Sequence, residues 1–83
     1  DTPELMAVAK YWARQYGAIP AAISHDELEF LLPTPVPEEK AMDTAVEQYG
    51  FCPDVVNQGP EEATVGTLAD VLQQSTVWYF WWD

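Results

Sequence analysis

The chain is poor in the residues that most often carry chemistry. Its 83 residues include one cysteine, one histidine and only three cations. A single cysteine rules out an internal disulfide, so packing must hold the fold, and an unpaired thiol suits a reducing compartment such as the cytoplasm. One histidine and one cysteine are too few for a zinc site of the usual kind. No apolar run approaches the ~20 residues that span a bilayer, and no signal-peptide pattern is present. Lys10, Arg14 and Lys40 face 14 acids, leaving a net charge of −11. That field repels phosphate backbones and anionic lipid, which argues against direct nucleic-acid or membrane binding and for a basic partner. The plainer reading of the same charge is a solubilising surface.

What the chain does have is apolar bulk. Hydrophobic residues make up 48% and aromatics 13%, enough for one folded domain over 1–83 but near the size at which one core suffices. The bulk is concentrated at the end, where Thr76-Val77-Trp78-Tyr79-Phe80-Trp81-Trp82-Asp83 holds three of the four tryptophans. Aromatic and β-branched residues favour a strand. At period two, Val77, Tyr79 and Trp81 share one face, and Thr76, Trp78, Phe80 and Trp82 the other. Both faces are apolar, so one is expected in the core, with part of the other accessible near Trp82 and Asp83. The chain starts at Asp1 without an initiator methionine, so we expect the C-terminal domain of a longer protein.

The spacing upstream predicts the remaining elements. Thr2-Pro3-Glu4 reads as a helix start, Leu5, Val8, Ala9, Trp12 and Tyr16 as its apolar stripe, and Gly17 as its stop. Lys10 and Arg14 share a face of that helix, where they are expected to answer carboxylates elsewhere on the surface. Ala18 to Ser24 reads as a strand with Ile19, Ala21 and Ile23 on one face; Pro20 places it at an edge or at its own start. A polar turn, Ser24-His25-Asp26, leads to a half-buried antiparallel strand carrying Leu28, Phe30 and Leu32. Pro33, Pro35 and Pro37 make an extended connector. A second helix opens at Pro37-Glu38-Glu39, with Met42, Ala45, Val46 and Tyr49 expected inward, Glu39, Lys40, Asp43 and Glu47 solvated, and Gly50 ending it. Residues 51–60 show no usable period. Thr64 caps a third helix that buries Val65, Leu68, Ala69 and Leu72. The fold class is α+β: a small three-stranded, mainly antiparallel sheet with three helices packed on it, in the order α-β-β-α-α-β.

Two spaced stretches, Phe51-Cys52-Pro53-Asp54-Val55-Val56-Asn57-Gln58-Gly59 and Val77-Trp78-Tyr79-Phe80-Trp81-Trp82-Asp83, carry a resemblance. With Trp12…Tyr16-Gly17-Ala18 and Leu28-Glu29, the chain resembles a bacterial family known only as a domain of unknown function, number 4253. The resemblance spans nearly the whole chain. It implies that Asp83 is the natural end of the domain and implies no activity. The three-proline connector is richer in proline than the family pattern.

Few residues are candidates for chemistry. Cys52 is the one nucleophile-like side chain, and a reactive thiol needs a lowered pKa from an imidazole or a helix N-terminus. His25 lies in the hairpin turn and reaches Cys52 only if the loop folds over that tip. The structural reading is a small buried thiol. Glu38-Glu39 and Glu61-Glu62 sit beside helix starts, where dipole complementarity accounts for them. Asp54, Asn57 and Gln58, with Trp78, Trp82 and Asp83, form a candidate recognition rim if the loop and the end strand meet; the alternative is that these residues fix loop geometry. We expect no cofactor, no metal and no catalytic residues. The leading expectation is a non-enzymatic module that binds a basic protein, as an inhibitor or immunity protein would. The alternative is an enzyme-associated domain with a pocket around Cys52, Asp54 and Asp83, and a further candidate partner is the remainder of a longer chain.

Overall fold

The computed structural model describes residues 2–57 and 63–82. Helix α1, Thr2–Tyr16, has Glu4 in its first turn and Arg14 in its last, matching the helix dipole at both ends. Its stripe is as the periodicity predicts: Trp12 is buried, and Leu5, Val8, Ala9 and Tyr16 pack against the core. Gly17 then takes φ +72 and closes the helix through its N–H to Ala13 O at 3.0 Å. A Cβ there would also sit 3.2 Å from the Pro33 ring.

Strand β1, Ile19–Ile23, is an edge strand, one of the two placements that Pro20 allows. Its register shifts between Pro20 and Ala22, so Ile19 pairs with Leu31 but Ile23 with Leu28. This bulge breaks the period-two alternation, and Ile19, Ala21 and Ile23 therefore do not share one face. Ser24 builds the turn, its Oγ accepting from the Glu27 N–H and donating to Asp26 Oδ1. Strand β2, Glu27–Leu31, is central, with β1 and β3 (Val77–Trp81) antiparallel on either side. The aromatic strand β3 is thus an edge rather than the sheet centre.

Helix α2, Glu38–Phe51, departs from expectation. Its buried residues are Ala41, Thr44, Ala45 and Gln48, whereas Met42, Val46 and Tyr49 are exposed. The inward face is rotated by one residue, about 100°, from the larger-residue stripe. Small side chains let α2 come close to its neighbours, and Thr44 satisfies its buried hydroxyl by donating to Lys40 O at 2.9 Å. Gly50 does not end the helix; Cys52 does, its N–H bonding Gln48 O at 2.8 Å. A single turn, α3 (Asp54–Asn57), follows, so part of the stretch without a usable period is helical. Helix α4, Val65–Leu72, is capped by Thr64 in a reciprocal pair with Thr67. Apart from the one-turn α3, the order is α-β-β-α-α-β around an antiparallel sheet.

Trp12 is the hub of the core. It stacks on Phe80 (centroids 5.4 Å, 12° between planes) and meets Phe30, Phe51 and Trp78 edge-on. Leu28, Phe30, Trp78 and Phe80 supply the buried face of the sheet. The shortest molecular extent, 17 Å, is that of one helix layer on one sheet layer.

Candidate functional site: the open face of the sheet

The helices cover one face of the sheet, and the alternation along β2 and β3 exposes the other. Burial along β3 alternates with the residue, Trp78 and Phe80 being buried while Val77 and Tyr79 are exposed. The register sorts the open face into rows. At one end Ile19, Leu31 and Val77 sit side by side, 64%, 49% and 43% exposed, as an apolar row across all three strands. At the other end Glu29 pairs with Tyr79, and Glu27 with Trp81. Cross-strand partners on one face lie about 5 Å apart at Cβ, so each carboxylate is set beside a ring. Tyr79 and Trp81 stack at 5.4 Å and 22°, and the Tyr79 hydroxyl donates to Glu27. That bond, before any other cause, raises the Tyr79 pKa. A concavity of about 450 Å³ extends the apolar end beneath Gly17, Pro20 and Pro33.

All three cations lie in the other layer, Lys10 and Arg14 on α1 and Lys40 on α2. The open face therefore carries acids and no cation among the described residues. Lys10 and Arg14 pair with no described carboxylate, and among the described residues the one such contact of a basic with an acidic side chain is His25 Nε2 to Asp26 Oδ2 at 3.8 Å.

A second polar feature lies between α1 and α2. Glu47, expected to be solvated, is half-buried and accepts from Tyr11 Oη (2.8 Å), Trp12 Nε1 (3.2 Å) and Tyr16 Oη (3.4 Å). Its bond to Tyr11 pushes that phenol up to about 12, whereas burial is the leading cause of the rise at Tyr16. Glu47 lines a cleft of about 270 Å³ with Glu4, Tyr11, Trp12 and Phe51. With its acceptor sites taken by α1, it acts first as a clamp between the two helices. Sequence periodicity holds no signal for it, because its three donors lie more than thirty positions away.

Cys52 is fully buried, and its thiol donates to Trp81 O at 3.1 Å. Burial pushes its pKa up, partly offset by that bond and by the Asp54 and Val55 backbone amides. This is the environment of an inert thiol, not of an activated nucleophile. His25 is 92% exposed at the hairpin tip. Asp54 is half-buried at the start of α3, and Asn57 ends α3 with its Oδ1 accepting from Tyr49 Oη at 3.5 Å. Trp78 is 2% exposed in the core, and its Nε1 finds no acceptor among the described residues. Trp82 is half-buried with its ring edge-on to Phe51. Gln58 and Asp83 lie outside the described residues, as do Glu61 and Glu62. Among the described residues no group of three His, Cys, Asp or Glu side chains is placed to hold a metal ion, and no helix is long and apolar enough to cross a membrane.

Comparison with known proteins is limited to the family level. No curated protein matches the chain, and no solved structure matches it. The whole of residues 1–83 matches one sequence family, so the chain belongs to the family described as Domain of unknown function (DUF4253).

Proposed function

We propose that the domain is a non-enzymatic protein-binding module of a bacterial cytoplasmic protein, inhibitor- or immunity-like, which docks a basic partner on the open face of its sheet. The observation that carries this reading is the composition of that face. Ile19, Leu31 and Val77 expose apolar surface across three strands, and the charges that the described residues add to that face, Glu27 and Glu29, are negative. An exposed apolar patch with a polar border is the usual mark of an interaction surface. The surrounding charge of −11 adds long-range steering of a basic protein. The environment of Cys52 supports the non-enzymatic side, and its single unpaired thiol fits a reducing compartment.

The test is binding to basic proteins encoded beside the chain, measured from low to high salt. Affinity should fall steeply as the Debye length shrinks below about 10 Å near 0.1 M salt. Substituting Leu31 and Val77 with serine should weaken binding without unfolding the domain. Binding that is absent, or indifferent to both salt and these substitutions, overturns the reading.

A further inference from the structure

The geometry points to one form of partner element: we infer that the open face receives a single arginine-bearing amphipathic helix, laid along the strands as a third layer. The inference rests on the basic-partner reading above and specifies its mode. Two observations select it.

First, both sheet edges are obstructed to strand addition. In an antiparallel ladder alternate residues turn their N–H and C=O outward. The bonds from Leu32 N to Thr76 O and from Trp82 N to Asp26 O show that Thr76 and Trp82 face β2, so Val77, Tyr79 and Trp81 face the free edge of β3. Ser75 Oγ takes both polar groups of Val77, accepting from its N–H at 3.1 Å and donating to its O at 2.8 Å. Cys52 takes Trp81 O. An added strand would find the ladder occupied at both ends. On the β1 side, the bond from Ser24 N to Glu27 O turns Glu27, Glu29 and Leu31 toward β1. That leaves Pro20, opposite Phe30, on the outer edge, where it has no donor, next to the bulge.

Second, the face suits a helix in size and in zoning. The outer strands of a three-strand sheet lie about 10 Å apart, close to the width of one helix, and five strand residues run about 17 Å, the length of about three helical turns. Along that length the Ile19–Leu31–Val77 row gives way to Glu29–Tyr79 and then Glu27–Trp81. A carboxylate beside an aromatic face matches a guanidinium, which forks onto the acid and lays its plane on the ring; an ammonium is a hydrated point charge that meets either group without the fork or the planar stack. The occupant therefore has apolar residues toward one end of its stripe and arginines toward the other. A second copy of this chain carries the same net charge of −11 and would be repelled rather than steered.

The test uses synthetic helices of about 14 residues with a leucine stripe bordered by arginine. A lysine version and a version broken by two prolines serve as comparisons, titrated into the chain with amide and side-chain NMR signals followed. The arginine helix should shift Ile19, Leu31, Val77, Tyr79 and Trp81, and bind at least about tenfold more tightly than either comparison. The pair Glu27→Gln and Glu29→Gln should cost about tenfold while signals from α1 and α2 stay in place. A proline version that binds equally well at the face overturns the helix and leaves the basic-partner reading standing. A lysine version that binds equally well does the same to the arginine assignment. No shift at the face with any basic peptide overturns both. Shifts at the face that grow with concentration of the chain alone assign it to a second copy, and overturn the inference.

Discussion

Glu47 decides more at the scale of single residues than any side chain with recognisable chemistry. Its carboxylate ties Tyr11, Trp12 and Tyr16 to α2, and Trp12 is the hub of the aromatic core. Replacing Glu47 with alanine strips the acceptor from the Nε1 of Trp12, which is 1% exposed. An unsatisfied buried donor costs about 1–3 kcal/mol, and urea unfolding should show that loss, with glutamine in its place costing less. The same substitution should return Tyr11 from about 12 toward the ordinary phenol value of 10.0, read by ultraviolet absorbance in alkaline titration. Because the folded-state value is raised, the tyrosine contribution to stability is complete below the ordinary value and is lost as pH rises through the folded one. Unfolding free energy should therefore fall as pH rises above 10, and should vary less with pH in Glu47→Ala, which lacks this contribution throughout. Cys52, buried and raised, should resist thiol reagents across neutral to mildly alkaline pH until the protein unfolds. Rapid modification of folded protein would restore the enzyme-associated reading.

At the scale of elements, two glycines with opposite roles make a sharp comparison. Gly17 holds φ +72 against the Pro33 ring, whereas a Cβ at Gly50 meets nothing within 4 Å. Gly17→Ala should destabilise by 1 kcal/mol or more, on the order expected for left-handed backbone in a residue with a side chain. Gly50→Ala should stabilise by about 0.5–1 kcal/mol, as it does in helix interiors. Thermal denaturation of the pair gives shifts of opposite sign. Helix α2 offers a second contrast. Ala45 is fully buried and Met42 and Val46 are half-exposed or more, so Ala45→Leu should cost about 1–3 kcal/mol by overpacking. Met42→Gln and Val46→Gln should stay within about 0.5 kcal/mol. If those magnitudes were reversed, the larger-residue stripe would be the buried one after all.

Considered as a whole molecule, the domain is a two-layer sandwich with one layer bare. The described helices all pack on one face of the sheet, and on the other the apolar row Ile19, Leu31 and Val77 is exposed. Burial of comparable side chains at about 25 cal/mol per Å² is available to a partner and not to the fold. Serine at Leu31 and Val77 should therefore change thermal stability little beyond the loss of strand propensity, while abolishing much of the binding to a basic partner. A collapse of stability in that variant would make the row part of the core, and the open face would lose its standing as a site.

Composition and periodicity determined the α+β class, the antiparallel sheet, the start and stripe of α1, the restriction Pro20 puts on β1 and the Thr64 cap. Each of these is a local matter: a proline without a donor, a hydroxyl before a helix, a period of two or 3.6. Tertiary structure decided what locality leaves open. Either face of β3 was bulky enough to be core, and Trp12 selected the Trp78–Phe80 face by stacking on it. Either stripe of α2 offered residues to bury, and the one that turned inward carries Ala41, Thr44, Ala45 and Gln48 rather than Met42, Val46 and Tyr49. Glu47 became a clamp and Cys52 an edge cap only through partners far away in the chain, and distance along the sequence carries no record of such meetings.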